Sequence, residues 1–166
     1  GWLALAPLAI QNVRDSKKAT DKKAKEGKVQ SHAMLNAAIQ VCAYGGCFAI
    51  YRNKELMAAA KGQVAKHLVS VHGKLGALST TFLLLSALIA GYKTMFSQRN
   101  GLNFIWRDKI HRFLGTASYL TAGLAILNIV NGGWGKANLG GVNGQRAVAA
   151  ALCAVQAMVL APLVAN

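Results

Sequence analysis

Four long stretches of this chain carry almost no charge, and the charged residues crowd between them. The stretches cover residues 31–51, 67–92, 109–130 and 145–164. Twenty-one residues rising 1.5 Å each give roughly 31 Å, which matches a hydrocarbon core of about 30 Å. The pattern therefore predicts an all-α fold, an integral membrane four-helix bundle with helices A to D. Ser31 is placed to cap A, and Arg52-Asn53-Lys54 to stop its span. Gly45 and Gly46 in A permit close approach of a helix or ligand. Helix B starts at His67 or His72, and residues 54–66 extend it as a helix outside the membrane. Residues 131–144 form a loop rich in glycine and asparagine. This is not a phosphate-binding loop, because no strand precedes it and no Gly-Lys-Ser/Thr occurs.

Ahead of A, residues 1–10 are apolar but too short to span, and Pro7 interrupts them. They predict a segment lying at the interface. Residues 13–30 read as a basic, solvated, partly helical arm. Two units follow: an N-terminal arm over residues 1–30 and the bundle over 31–166. The first residue is Gly1 rather than Met, as expected of a processed or partial chain.

Composition agrees with the pattern. Charged residues make up only 14%, against about 25% in soluble domains. The net charge of +14 would suit nucleic acid, but the basic residues sit at helix ends and in loops, with no aromatic-interleaved groove. The partners this predicts are the lipid bilayer, with its anionic head groups, and other membrane subunits; nucleic acid is not among them. Basic residues of the arm, joined by Lys93, Arg99, Arg107, Lys109 and Arg112, outnumber those on the other side of the membrane. That bias puts the N-terminus on the stromal, matrix or cytosolic side.

The five acids, Asp15, Asp21, Glu26, Glu55 and Asp108, all lie outside the spans. No carboxylate pair is left within the membrane for acid–base catalysis. The chain shows no broken helix, internal repeat or intramembrane acid of the kind transporters use. Cys42, Cys47 and Cys153 lie in apolar stretches without metal-type spacing and read as buried apolar side chains.

The histidines carry the candidate chemistry. His32, His67, His72 and His111 each lie near the start of a span, and ionisable residues at membrane depth mark function. Helices A and C start on the same side, so His32 and His111 share a membrane level. Two neutral imidazoles across a gap suit bis-axial ligation of haem iron. Gly115, one turn beyond His111, leaves room there for a flat macrocycle. Lys28, Lys109 and Arg112 stand at the same end as candidate partners for propionates. His67 and His72 are about 140° apart around one helix and cannot share a ligand. His72, flanked by Gly73 and Gly76, is the candidate facing the bundle.

Ser31-His-Ala-Met-Leu-Asn36, Val71-His-Gly-Lys-Leu-Gly76 and Ile110-His-Arg-Phe-Leu-Gly115 resemble the histidine motifs of the cytochrome b561 superfamily, and the size resembles its short cyanobacterial and plastid relatives. The resemblance covers residues 30–165. It implies a four-helix core holding b-type haem between alternate helices, and electron transfer across or at the membrane. It implies His32 and His111 as the iron ligands of one haem b and His72 as half of a second site. Helix D has no fourth histidine, so one haem is expected. Chlorophyll, which takes a single axial ligand, is the alternative cofactor. The resemblance favours a plastid thylakoid, with the mitochondrial inner membrane as the alternative. The competing function is a non-catalytic accessory subunit of a photosynthetic or respiratory complex. Whether the chain turns over a substrate of its own stays open at this level.

Overall fold

The computed structural model describes residues 4–96 and 108–164. Gly1, Arg99 and Arg107 lie outside the described residues. Those described form α1 (Leu5–Lys18), α2 (Lys22–Ala60), α3 (Val71–Phe96), α4 (Lys109–Val130), α5 (Gly133–Asn138) and α6 (Gly141–Val164). No strand occurs among them. Four helices, α2, α3, α4 and α6, are long and apolar enough to cross a membrane. The fold is an all-α integral membrane bundle.

Helix α4 has the bounds that hydropathy predicts. Asp108 caps it, its carboxylate accepting from the backbone N–H of Ile110 at 2.9 Å and of His111 at 3.2 Å. Helix α2 does not have those bounds. It begins at Lys22, where the Asp21 carboxylate accepts from the Ala24 N–H at 2.9 Å. Ser31, expected as a cap, is interior, and its hydroxyl donates to the Gly27 carbonyl at 3.0 Å. The lysine-rich part continues the helix because Lys, Glu and Ala all favour it. Nor does Arg52-Asn53-Lys54 end the helix. It stops at Gly62, whose φ of +61° breaks the ladder. With 39 residues, α2 is about 58 Å long, well beyond a bilayer.

Residues 61–70 connect α2 to α3, so helix B starts at Val71, and the extension expected over 54–66 belongs mostly to α2. The expected 131–144 loop contains the short α5. Gly140 and Gly141, with φ of +75° and +78°, then make the turn into α6, which starts four residues before the expected 145.

The apolar segment and the basic arm expected ahead of the bundle are both helical, and most lysines of the arm are exposed. Leu5–Lys18 is one helix packed antiparallel along the start of α2. Ala6 and Ala9 are buried, and their small side chains permit this close approach. Ala6 joins Ile39, Leu83, Tyr119 and Val159 in the core, with Leu5, Ile10 and Leu160 against it. Thus α1, α2, α3, α4 and α6 all meet at one end of the bundle. The most extensive packing is between α3 and α4. The three cysteines are exposed rather than buried, on the outer faces of α2 and α6.

Candidate cofactor site

An open cavity lies at the α1 end of the bundle. It encloses about 1050 Å³, including the part open to its surroundings, which is the scale of a cofactor site. His32 of α2 and His111 of α4 both line it, with Gly115 beside His111. Two histidines predicted to share a membrane level therefore border one space.

Each imidazole is held from behind. His32 Nδ1 lies 2.8 Å from the Ala9 carbonyl of α1. His111 Nδ1 lies 3.0 Å from the Ser86 carbonyl of α3 and 3.0 Å from its hydroxyl, while that hydroxyl donates to the His111 carbonyl at 3.3 Å. A carbonyl can only accept, so Nδ1 must carry the hydrogen in both. That tautomer leaves Nε2 with its lone pair, the state in which imidazole binds a metal. The Asn36 amide stands 3.2 Å from His32 Nε2 and 2.9 Å from the His32 carbonyl. A metal at Nε2 would displace only the first of these contacts.

Gly115 is not demanded by protein packing. A Cβ there would meet only the Ser86 hydroxyl, at an ordinary 3.8 Å. The cavity wall is otherwise largely apolar, with Leu83, Leu160 and Tyr119 among its residues. Its cations are Arg14, Lys17 and Arg112. Of the cations expected from sequence, only Arg112 is there. Lys28 pairs with Asp15 at 3.8 Å on the exposed side, and Lys109 is exposed outside the lining. The signal for Arg14 and Lys17 was their spacing on an amphipathic turn, which is readable only once α1 is known to be a docked helix. Arg14 also donates to the Val159 carbonyl, tying α1 to α6.

The other two histidines differ. His67 uses Nε2 on the Glu55 carboxylate at 2.7 Å, and its ring stacks on Tyr51 at 4.2 Å between centroids. That contact occupies the ligating nitrogen and fastens the connection to the end of α2. His72 has the same arrangement as His111, with Nδ1 2.8 Å from the Ala125 carbonyl of α4.

His72 and His111 belong to a short internal repeat that hydropathy did not reveal. The unit His72-x-x-Leu75-Gly76-x-x-Ser79 of α3 recurs in α4 as His111-x-x-Leu114-Gly115-x-x-Ser118. The bonds between the helices cross symmetrically. Ser79 Oγ donates to the Ser118 carbonyl at 2.9 Å, and Ser118 Oγ to the Ser79 carbonyl at 2.8 Å. His72 reaches Ala125 as His111 reaches Ser86. The two antiparallel helices are thus related by a pseudo-twofold axis through the serines. A dyad that exchanges antiparallel helices runs perpendicular to their common plane. It puts both imidazoles on the same face of the pair, at opposite ends. The 14 residues separating His72 from Ser86 make that distance about 21 Å.

Among the described residues, no cluster of three or more His, Cys, Asp or Glu side chains is placed to hold a metal ion by itself. A histidine pair completed by a tetrapyrrole asks for two protein ligands only, and the tautomers, the missing side chain at Gly115 and the cations fit such a group.

The family model described as eukaryotic cytochrome b561 matches residues 8–133. The match takes in most of α1, His32, His72 and His111, and stops before α6. No curated protein and no solved structure matches the chain.

Proposed function

The chain belongs to the cytochrome b561 family, and on that premise we propose that it is a membrane electron carrier with one b-type haem bound between His32 and His111. The observation that carries the reading is the pair of imidazoles on one cavity, each with Nδ1 tied to a backbone carbonyl. Haem bound there would supply one-electron chemistry, alternating between ferric and ferrous iron. The residues of the chain do the rest. Ala9 and Ser86 hold the rings, so little reorganisation accompanies a change of charge. Leu83, Leu160 and Tyr119 keep the centre apolar, while Arg14, Lys17 and Arg112 favour carboxylate groups at the mouth.

The test is a reduced-minus-oxidised spectrum of the purified protein, with b-type bands as the expected result. His111→Ala and His32→Ala should abolish them, whereas His67→Ala should leave them intact. No b-type band, or haem retained in His111→Ala, would sink the assignment.

The charge bias of the sequence supports the N-terminus and this site on the stromal, matrix or cytosolic side, which protease protection would check. We favour the thylakoid over the mitochondrial inner membrane, a choice that organelle fractionation decides. A second reading, an accessory subunit of a larger complex, draws on α2, where Val41, Phe48, Ile50 and Tyr51 are all exposed. Migration of the native protein as a free species would argue against it.

A further inference from the structure

We infer that the tip of the α1–α2 hairpin is a docking surface for a soluble electron-transfer protein with an acidic face, held over the mouth of the cofactor cavity. This rests on the haem reading of the His32–His111 site and names the kind of partner that site serves.

The first argument is height. Helix α2 is continuous from Lys22 to Ala60, and its apolar stretch begins at residue 31. The residues from 22 to 31 therefore lift its first turn about 14 Å beyond the hydrocarbon, whereas head groups fill only about 5–8 Å on each side. A tilt of about 20° still leaves roughly 13 Å. Helix α1 rises beside it. The Ala9 carbonyl meets His32 at 2.8 Å, and Asp15 meets Lys28 at 3.8 Å. Ser16 and Val29 are buried although they lie beyond the apolar stretch, so the arm is a packed two-helix post rather than a loose tail.

The second argument is charge. Residues 14–28 hold seven basic residues and three acids. Two of the acids are engaged: Asp15 with Gln11 and Lys28, and Asp21 with the Ala24 N–H. Lys17, Lys18, Lys22 and Lys23 are exposed, and among the described residues none of them has an ion pair. They cross from the end of α1 to the start of α2. On α1 the series continues from Lys17 to Arg14, which both line the cavity. The basic surface thus leads from the tip to the space that His32 and His111 border.

The third argument selects the partner. Topology selection needs basic residues near the end of a span; it does not need them raised on a packed post. Lipid head groups lie below the tip. A small anion in the cavity is met by Arg14, Lys17 and Arg112, and Lys22, about 15 Å along the helix from His32, is out of its reach. A protein with a carboxylate-rich face fits both the height and the size of the surface. Redox partners meet on small areas, under about 1,200 Å², and opposite charge supplies their on-rate and orientation. In the complex a reduced partner gives up one electron and ferric haem gains it; no bond forms or breaks.

The experiment uses the full chain in phosphatidylcholine nanodiscs, with a plant-type ferredoxin as the acidic probe and cytochrome c as the basic control. Surface plasmon resonance should show ferredoxin associating and cytochrome c not. The association rate should fall about tenfold or more between roughly 0.02 and 0.2 M salt. Lys18→Gln, Lys22→Gln, Lys23→Gln and Lys25→Gln combined should lower the low-salt rate about tenfold and leave the haem content unchanged. The same change at Lys61, Lys66, Lys74 and Lys136, on the opposite side of the membrane, should leave the rate alone. Amine labelling of the wild type needs no variant: ferredoxin should protect the tip lysines, and phosphatidylglycerol added to the nanodiscs should not. No ferredoxin binding, an equal loss from the two sets of substitutions, or protection by phosphatidylglycerol alone would each overturn the inference. Ferredoxin bound to a chain that never takes up haem would instead refute the haem reading and leave the docking surface standing.

Discussion

Gly115 gives the sharpest separation between a packing residue and a cofactor residue. A Cβ at this position meets only the Ser86 hydroxyl, at 3.8 Å, and the backbone is helical. Gly115→Ala should therefore stabilise the apoprotein by about 0.5–1 kcal/mol, the cost glycine imposes in a helix interior. Gly115→Leu sends a longer side chain into the cavity that His32 and His111 border. Overpacking costs about 1–3 kcal/mol, which is roughly a 5- to 140-fold loss of haem affinity at about 1.4 kcal/mol per tenfold. The two variants should thus move stability and binding in opposite directions. Thermal unfolding of the apoprotein in detergent reads the first, and haem titration followed at the Soret band reads the second. Unchanged haem affinity in Gly115→Leu would show that the macrocycle does not lie over this turn. A clear loss of apoprotein stability in Gly115→Ala would show that the glycine serves the contact of α3 with α4 instead.

The crossed serines should behave as one unit: Ser79→Ala and Ser118→Ala each cost about 0.6 kcal/mol, typical of a polar contact between membrane helices, and the double variant costs less than their sum, as steric-trapping unfolding would measure. Neutralising the cavity cations should lower the haem midpoint potential, because cations favour the form with the extra electron; Arg112→Gln should shift it down by tens of mV, about 1 kcal/mol at roughly 59 mV per tenfold, in a redox titration. Asp108→Ala removes the α4 cap and the partner of Lys93; the lost cap alone should cost about 0.5–2 kcal/mol, seen as a lower unfolding temperature. Removing residues 5–18 takes away the Ala9 carbonyl, so the His32 ring loses its fixed tautomer and the low-spin haem signal in electron paramagnetic resonance should broaden or fall.

What was legible in the sequence follows from the length scale of each signal. The spans read well because exclusion of charge from hydrocarbon acts over about 20 residues at once. The levels of His32 and His111 followed from alternation of direction and needed no contacts. Helix ends were less legible. Ser31 has the right chemistry for a cap but lies inside a helix already started by Asp21, and only a local hydrogen bond separates the two cases. The docking of α1 was missed because its 14 residues are too few to span, while its role depends on Ala6 and Ala9, whose smallness looks unremarkable in sequence. The His-x-x-Leu-Gly-x-x-Ser repeat was present but short. It became meaningful through the crossed bonds of Ser79 with Ser118 and of the two histidines with the opposite helices.

The bundle's burial pattern bears on whether a cofactor is part of its structure. In the most apolar window of α4, 39% of residues are buried inside the protein, against 6% for α2 and 17% each for α3 and α6. The four spans are therefore not four equal walls around a filled core. One tightly packed pair, α3 and α4, forms a slab, and α1, α2 and α6 close over its ends more loosely. Polar bonds fix the slab in register at three levels, two of them through histidines that turn their ligating edges toward the loose side. A soluble bundle would fill that side with large side chains. Here the positions facing it include Gly76, Ala77 and Gly115, and α2 carries Gly45 and Gly46 without side chains. Side chains of that size on a bundle's inner face leave volume for another group. Bound haem would then join α2 to α4 through two histidines and supply the contact surface that these helices lack. On this account haem loss should loosen α2 well before it disturbs the α3–α4 pair. Hydrogen exchange compared between apo and loaded protein tests it: faster exchange in α2 around His32 with unchanged protection at Ser79 and Ser118 is the expected result, and uniform loosening of all four spans would refute it.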